Sequence, residues 1–175
     1  WPSWTFRSEP LPWSFSIGQS FVVADNWQRY SNINSILALE VLYDWRLSSD
    51  DLDITLTVNV YDDSNTFLFS SDPLSVSIGS DWSIGTYRSR NLVATFSWIN
   101  RIQPWNYKYL AIWTRTSGDT RYKAAPSNVN FYTDWSEIDW SFNTINRDLY
   151  FNVNITDFIL WDWPWTIVNY NSNAS

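Results

Sequence analysis

A strict alternation of apolar and polar side chains between residues 52 and 60 constrains this chain most. Leu52, Ile54, Leu56, Val58 and Val60 are apolar, and the residue between each pair of them is polar. Successive side chains of a β-strand point to opposite faces, so the pattern predicts a strand with one buried face and one wet face.

The preceding segment predicts a second, longer strand, with Leu37, Leu39, Val41, Tyr43 and Trp45 on one face. The polar residues 48–51 between the two strands are typical of a hairpin loop. Turn-forming clusters recur at strand-like spacing, and helical periodicity is nearly absent. The sequence therefore predicts about ten strands in an all-β protein, a two-sheet β-sandwich of the jelly-roll type that occupies residues 14–175 as one domain.

Residues 1–13 differ from the rest because they contain prolines at positions 2, 10 and 12. Proline and the residue before it favour extended backbone, and Trp4 and Phe6 alternate with polar residues as they would in a strand. The segment predicts an extended N-terminal arm. It either lies in a groove of a neighbouring subunit as a donor strand or pairs with its own sheet.

The chain has no histidine and no cysteine, which excludes catalytic triads built on imidazole or thiolate and the common zinc sites. Carboxylate chemistry is the catalytic option left, and Glu9, Glu40 and Glu137 are the only glutamates. We therefore expect a protein that is not an enzyme.

The charge and hydropathy of the chain narrow the range of partners. A net charge of −7 argues against nucleic acid as a partner. No apolar run approaches the roughly 20 residues that a membrane span needs. The chain begins at Trp1 rather than Met, as chains do after removal of a secretory signal, although a trimmed chain begins in the same way. We expect an extracellular protein.

Fourteen tryptophans are the largest compositional anomaly, and they divide into two predicted groups. Trp45, Trp98 and Trp113 lie within apparent strands and are expected in the core. A second set of apolar residues, on the arm and near the C-terminus, is expected at subunit interfaces: Trp1, Trp4, Phe6, Leu11, Trp13, Trp161, Trp163 and Trp165. At period two the last three indoles share one face, which suits a sugar platform, a subunit seam or an edge strand of the chain's own core.

Two further kinds of site follow from short motifs. Acidic clusters at both ends of the 52–60 strand predict oxygen ligands for calcium, in two separate sites, from Asp50, Asp51, Asp53, Asp62 and Asp63. Solvated acidic loops have the same composition. Asn154 and Asn173 begin triplets that match the N-glycosylation acceptor pattern.

Two families show a resemblance to this sequence. Residues 30–45, 52–69 and 107–113, the last reading Tyr-Lys-Tyr-Leu-Ala-Ile-Trp, resemble compact jelly-roll endoglucanases. That resemblance implies the fold and sugar contact. It also implies an inactive centre, because Lys108 and Tyr109 stand where the family carries its nucleophilic glutamate and no second glutamate follows Glu137.

The extended arm and strand-rich body also resemble secreted jelly-roll filament subunits, in which an N-terminal arm completes the sheet of a neighbour. This resemblance implies a building block held by β-strand addition. The resulting expectation is a non-enzymatic subunit of an extracellular filament, tube or coat, with identical subunits as partners. The alternative is a carbohydrate-binding module or lectin that binds glycans on exposed tryptophans, and deletion of residues 1–13 is expected to separate the two.

Overall fold

The computed structural model describes residues 7–23, 29–43, 52–78, 88–115, 120–124, 136–159 and 167–170. These residues form thirteen strands and no helix, and all their strand pairings are antiparallel. The prediction of an all-β protein is confirmed. In chain order the strands are β1 (Arg7–Pro10), β2 (Ser14–Val22), β3 (Arg29–Tyr43), β4 (Leu52–Asp62), β5 (Phe67–Ser70), β6 (Leu74–Ile78), β7 (Arg88–Thr95), β8 (Asn106–Arg115), β9 (Thr120–Ala124), β10 (Glu137–Asp139), β11 (Thr144–Ile145), β12 (Asn152–Ile159) and β13 (Ile167–Tyr170).

The strands form two sheets. In sheet A the long strand β3 pairs with β7 along one side and, along the other side, with β12 over its first part and with β9 near its end. β13 pairs with β12, and β1 pairs with β9. Sheet B has the order β11-β10-β2-β8-β4-β5, and β6 also pairs with β4. Buried apolar side chains of both sheets belong to one core cluster, so the sheets pack face to face in a β-sandwich-like fold.

The alternating strand at residues 52–60 is an inner strand of sheet B, with β8 on one side and β5 and β6 on the other. Ile54, Leu56, Val58 and Val60 are buried on its inner face, as the sequence predicted. Burial of each such side chain contributes about 1.5–3 kcal/mol. The predicted hairpin between this strand and the one before it is wrong, because β3 lies in sheet A and β4 in sheet B.

Two β-bulges interrupt the predicted alternation of β3. The register slips at Asn34 against β12 and at Ala38 against β7. A bulge inserts one unpaired residue and bends the strand. As a result Ile36 is fully buried, whereas Leu37 is only partly buried, and one face no longer carries all the odd-numbered residues.

Tyr109 links the two sheets through the core. It lies on β8 of sheet B, and its hydroxyl donates a hydrogen bond of 3.1 Å to the backbone oxygen of Ala38, at the second bulge of β3. The phenol ring is fully buried and lies 6.4 Å from the ring of Phe21 and 6.1 Å from that of Phe151. A buried hydroxyl needs a partner, and the bulge supplies one.

Burial raises the pKa of the Tyr109 hydroxyl well above its ordinary value of 10.0, and the charge of Glu137 raises it further. The folded state holds this proton more tightly than the unfolded state, so the stabilisation is complete below about pH 10 and declines above it. We expect Tyr109→Phe to cost about 1 kcal/mol at neutral pH and to make the alkaline decline shallower. Urea unfolding between about pH 8 and 11 measures both effects.

The matched control is Val58→Ala, which removes buried apolar volume from β4 but no ionisable group. It should lower the free energy of unfolding equally at all these pH values. An alkaline decline that is as steep in Tyr109→Phe as in the wild type contradicts the assignment.

Gly18 is required by the close approach of β2 and β8. A Cβ atom at this position would overlap the backbone oxygen of Tyr109. Backbone cannot yield as a flexible side chain does, so we expect Gly18→Ala to lower the free energy of unfolding by about 3 kcal/mol. Chemical denaturation tests this, with Ser16→Ala on the same strand expected to change stability by less than about 1 kcal/mol. Equal effects of the two substitutions would contradict the packing.

Candidate functional site

Most of the described tryptophans are exposed. Trp13, Trp98, Trp105 and Trp140 are 58–67% exposed, and among the described tryptophans Trp113 alone is buried. The prediction that Trp113 belongs to the core is confirmed. The same prediction for Trp98 is wrong, because β7 ends at Thr95 and Trp98 lies in the loop that follows. Trp45 lies outside the described residues.

The segment Phe96–Ile102, here called the Trp98 loop, has buried ends and an exposed centre. The Phe96 ring packs edge-on against Phe69 at 5.6 Å, and Ile102 exchanges two backbone hydrogen bonds with Ser31 on β3. Between these anchors Trp98 and Ile99 are each 67% exposed. Large apolar side chains in such a position are typical of a contact surface.

Asn100 fixes the conformation of the Trp98 loop. Its backbone nitrogen donates to Asn32 Oδ1 at 2.7 Å, and its side-chain nitrogen donates to the Ile33 oxygen at 2.7 Å. The Ile33 nitrogen donates back to Asn100 Oδ1 at 2.8 Å. Next to this clamp, Arg101 has a φ of 34°, a left-handed conformation that costs a non-glycine residue energy. The loop is therefore held in one shape before any partner arrives.

The bulge of β3 at Asn34 supports the clamp. The Asn34 side chain accepts from Asn32 at 2.9 Å and donates to Asn154 Oδ1 at 3.1 Å and Thr156 Oγ1 at 2.5 Å. Its backbone oxygen accepts from the nitrogen of Phe96, where the Trp98 loop begins. Asn154, a predicted glycosylation site, thus lies on β12 within this amide network. The other predicted site, Asn173, lies outside the described residues.

A second exposed indole lies in the turn between β10 and β11. Asp139 closes this turn by accepting hydrogen bonds from the backbone nitrogens of Ser141 and Asn143, and the Asn143 side chain lowers the pKa of Asp139. Trp140 is 67% exposed at the tip. Phe142, with a φ of 63°, packs edge-on against Tyr61 of β4 at 4.9 Å.

The described part of the predicted arm contacts its own domain. Arg7–Pro10 pair with β9, and Leu11, a predicted interface residue, is buried in the core. The Leu11 oxygen accepts from Arg115 Nε at 2.8 Å, and the Arg115 guanidinium lies over the Trp13 ring at 4.3 Å. Trp13 itself is 58% exposed. The other predicted interface residues lie outside the described part of the chain: Trp1, Trp4, Phe6, Trp161, Trp163 and Trp165.

Glu137 is buried and paired. Its carboxylate accepts from Arg147 at 2.5 Å and 2.8 Å, in the two-pronged geometry that guanidinium favours. Across the strands it aligns with Gln19 and Tyr109. Gln19 donates to the buried Asp148 at 2.9 Å. The Glu137 carboxylate is therefore inaccessible to solvent and forms an ion pair with Arg147.

The predicted calcium ligands are dispersed where they are described. Asp53 accepts from Ser77 on β6, and Asp62 Oδ1 accepts from the Thr66 nitrogen within the β4–β5 turn, next to the exposed Asp63. Within the described ranges no group of three or more potential ligands was found. Asp50 and Asp51 lie outside these ranges. No described helix is long and apolar enough to cross a membrane.

No protein-family model matches this sequence, and no curated protein is significantly similar to it.

The exposure of Trp98, Trp105 and Trp140 is not predicted from the sequence. For Trp140 a signal exists, because an Asp followed by Trp-Ser-Phe-Asn contains the turn-forming Asp, Ser and Asn at suitable spacing. For Trp98 the run Leu-Val-Ala-Thr-Phe continues the apolar pattern into the loop, and the sequence does not mark the end of β7.

We expect Asn100→Ala to lower the free energy of unfolding by about 2–4 kcal/mol, because it leaves the buried Ile33 amide unsatisfied. The amides of the Trp98 loop should then exchange hydrogen faster than in the wild type. Denaturant titration and hydrogen exchange read by mass spectrometry measure the two effects. The control is Asn106→Ala, an exposed position expected to change stability by less than about 0.5 kcal/mol. Unchanged exchange in Asn100→Ala would show that the clamp does not hold the loop.

Proposed function

We propose that this protein is a non-enzymatic structural subunit of an extracellular filament, tube or coat, assembled from identical subunits by β-strand addition and aromatic contacts. In this proposal the sandwich is of the jelly-roll type and the predicted arm of residues 1–13 exchanges as far as Pro10, while Leu11 stays buried in the core of its own domain. The observation that carries the proposal is the exposure of Trp13, Trp98, Trp105 and Trp140. Indoles bury large areas at interfaces, and a soluble protein rarely leaves so many in water without a partner.

The attachment of the arm supports exchange between subunits. β1 is a four-residue edge strand that pairs only with β9 among the described strands. It joins the body through Pro10, Leu11 and Pro12, and the two prolines favour an extended connection. Exchange replaces one set of β1–β9 hydrogen bonds with an identical set from a neighbour, so it costs little free energy.

The burial of Glu137 and its ion pair with Arg147 support a role other than catalysis. Glu137 is buried in its pair with Arg147, so it does not face a substrate. Lys108 stands where the endoglucanases that this sequence resembles carry their nucleophilic glutamate. Its amine donates hydrogen bonds to the Asp63 oxygen at 3.1 Å and to Asn65 Oδ1 at 2.7 Å. Neighbouring Tyr109 is fully buried.

A second candidate function, carbohydrate binding, is favoured by Trp140. Its indole is exposed at a turn whose neighbours include the exposed Ser141 and Asn143, and an indole beside polar groups suits stacking on a sugar ring. This function is favoured over assembly if the protein is a monomer that binds glycans and if Trp140→Ala abolishes that binding.

Disulfide trapping tests the arm exchange, because the chain contains no cysteine of its own. Ser8 and Lys123 are register partners on β1 and β9, and the Cα spacing of antiparallel partners suits a disulfide. We expect Ser8→Cys and Lys123→Cys, placed on separate chains and mixed, to form covalent dimers. The double variant should form a ladder of covalent polymers.

The control pair is Thr55→Cys with Ser75→Cys, register partners on β4 and β6 that should link only within a chain. Non-reducing electrophoresis reads out all variants. If Ser8→Cys/Lys123→Cys yields only internally linked monomers at every protein concentration, the arm does not exchange. Light scattering that shows a monomer throughout would contradict the proposed function itself.

A further inference from the structure

Two prolines limit rotation of the chain where β1 ends. Pro10 and Pro12 flank Leu11. Proline fixes its own φ and restricts the residue before it to extended backbone, so the φ angles of both prolines and the ψ angles of Glu9 and Leu11 are constrained. The least constrained dihedral angles between these positions are ψ of Pro10 and φ of Leu11. The chain therefore turns most easily at the Pro10–Leu11 junction.

The burial of the chain changes at the same junction. Pro10 is exposed, and β1 pairs with β9 alone among the described strands. Leu11 is 1% exposed and belongs to the core cluster. Detachment of β1 breaks backbone pairing with one strand, whereas detachment of Leu11 also exposes a buried apolar side chain to water, which costs additional free energy.

β8 holds the three residues that follow this junction, here called the base of the arm (Leu11–Trp13). The backbone oxygen of each one accepts a hydrogen bond from the end of β8. The donors are Arg115 Nε to Leu11 at 2.8 Å, Trp113 Nε1 to Pro12 at 3.2 Å and the Arg115 backbone nitrogen to Trp13 at 2.9 Å. The base of the arm is thus fixed to its own body along its whole length.

The Arg115 side chain contacts both ends of the base of the arm. Its Nε donates to Leu11 while its guanidinium lies over the Trp13 ring at 4.3 Å. A lysine does not replace it, because an ammonium group lacks the planar surface that stacks on a ring and the fixed geometry of the guanidinium donors. Trp113 differs from Arg115 because its 1% exposed indole is also part of the core.

We propose that Arg115 is the positioning residue that sets where arm exchange ends. Together with Trp113 it holds the base of the arm on its own body, so that the chain turns at the Pro10–Leu11 junction and residues 1–10 alone pass to a second copy. The inference rests on the proposed function and adds the side chain that determines the boundary of the exchanged segment.

A fixed base of the arm has consequences for assembly. The exchanged strand joins its body without a flexible linker, so neighbouring copies have little freedom of orientation, and a constant head-to-tail rotation gives a regular polymer. Opening of β1 also leaves the core intact, because local opening of an edge segment costs less free energy than global unfolding.

Two cysteine pairs locate the boundary of exchange in the full-length chain. Ser8→Cys/Lys123→Cys joins register partners of β1 and β9, before the junction, and Ser14→Cys/Thr114→Cys joins register partners of β2 and β8, after it. On non-reducing electrophoresis we expect covalent polymers from the first pair and internally linked monomers from the second. Covalent polymers from both pairs would overturn the inference while the proposed function stands. A chain that stays monomeric with both pairs overturns the proposed function and the inference with it.

Arg115→Lys, combined with the second cysteine pair, tests the positioning residue. It keeps the charge and the backbone hydrogen bond to Trp13 but removes the Nε donor, and we expect the fraction of chains linked to another copy to rise about tenfold. Arg90→Lys, the same change at an exposed arginine of β7, should leave that fraction unchanged. Val58→Ala, which lowers global stability, should also leave it unchanged. If Arg115→Lys has no effect, or if Val58→Ala has the same effect, the inference is overturned.

Discussion

The hydrogen bond from Tyr109 to the Ala38 carbonyl fixes the two sheets relative to each other. Apolar packing alone is non-directional and would tolerate sliding of one sheet over the other. A hydrogen bond between a buried hydroxyl and one partner opposes such sliding, because a shift of one sheet leaves both the phenol and the carbonyl unsatisfied. The bulge at Ala38 is what gives the fully buried phenol a partner on the opposite sheet.

The first bulge of β3 extends this constraint to the surface. The Asn34 side chain joins the hydrogen-bond network of Asn32, Asn154 and Thr156. The Asn34 backbone oxygen accepts a hydrogen bond from the nitrogen of Phe96, where the Trp98 loop begins. In β3, the bulge at Ala38 thus sets the packing of the two sheets, and the bulge at Asn34 positions the Trp98 loop. Bulges are common beside functional sites for this reason.

The sequence predicts the parts of this fold that depend on local pattern. The buried face of β4 follows directly from its alternation, and Trp113 is buried because it lies on the core-facing side of β8 with Tyr109 and Ala111. The choice of sheet for β3 and β4 depends on contacts between distant residues, which is why the predicted hairpin is wrong. The pattern of β2 is weak because Gln19 interrupts the apolar face that Ile17 and Phe21 form, and because glycine at position 18 is unfavourable in a strand, although Gln19 is satisfied by Asp148 and Gly18 is needed for close approach. The exposure of Trp98 follows from where β7 ends and from the Asn100 clamp, and neither is visible in the local pattern.

The central claim is that the exposed tryptophans are contact surfaces between copies of the chain. Hydroxyl-radical footprinting with residue-level mass spectrometry tests it most directly, when the same protein is compared as a dilute monomer and in its assembled form. The account predicts rapid oxidation of Trp13, Trp98, Trp105 and Trp140 in the monomer, with Trp113 protected. In the assembled form Trp98 should become as protected as Trp113. Equal oxidation of Trp98 in the monomer and in the assembled form would contradict the account.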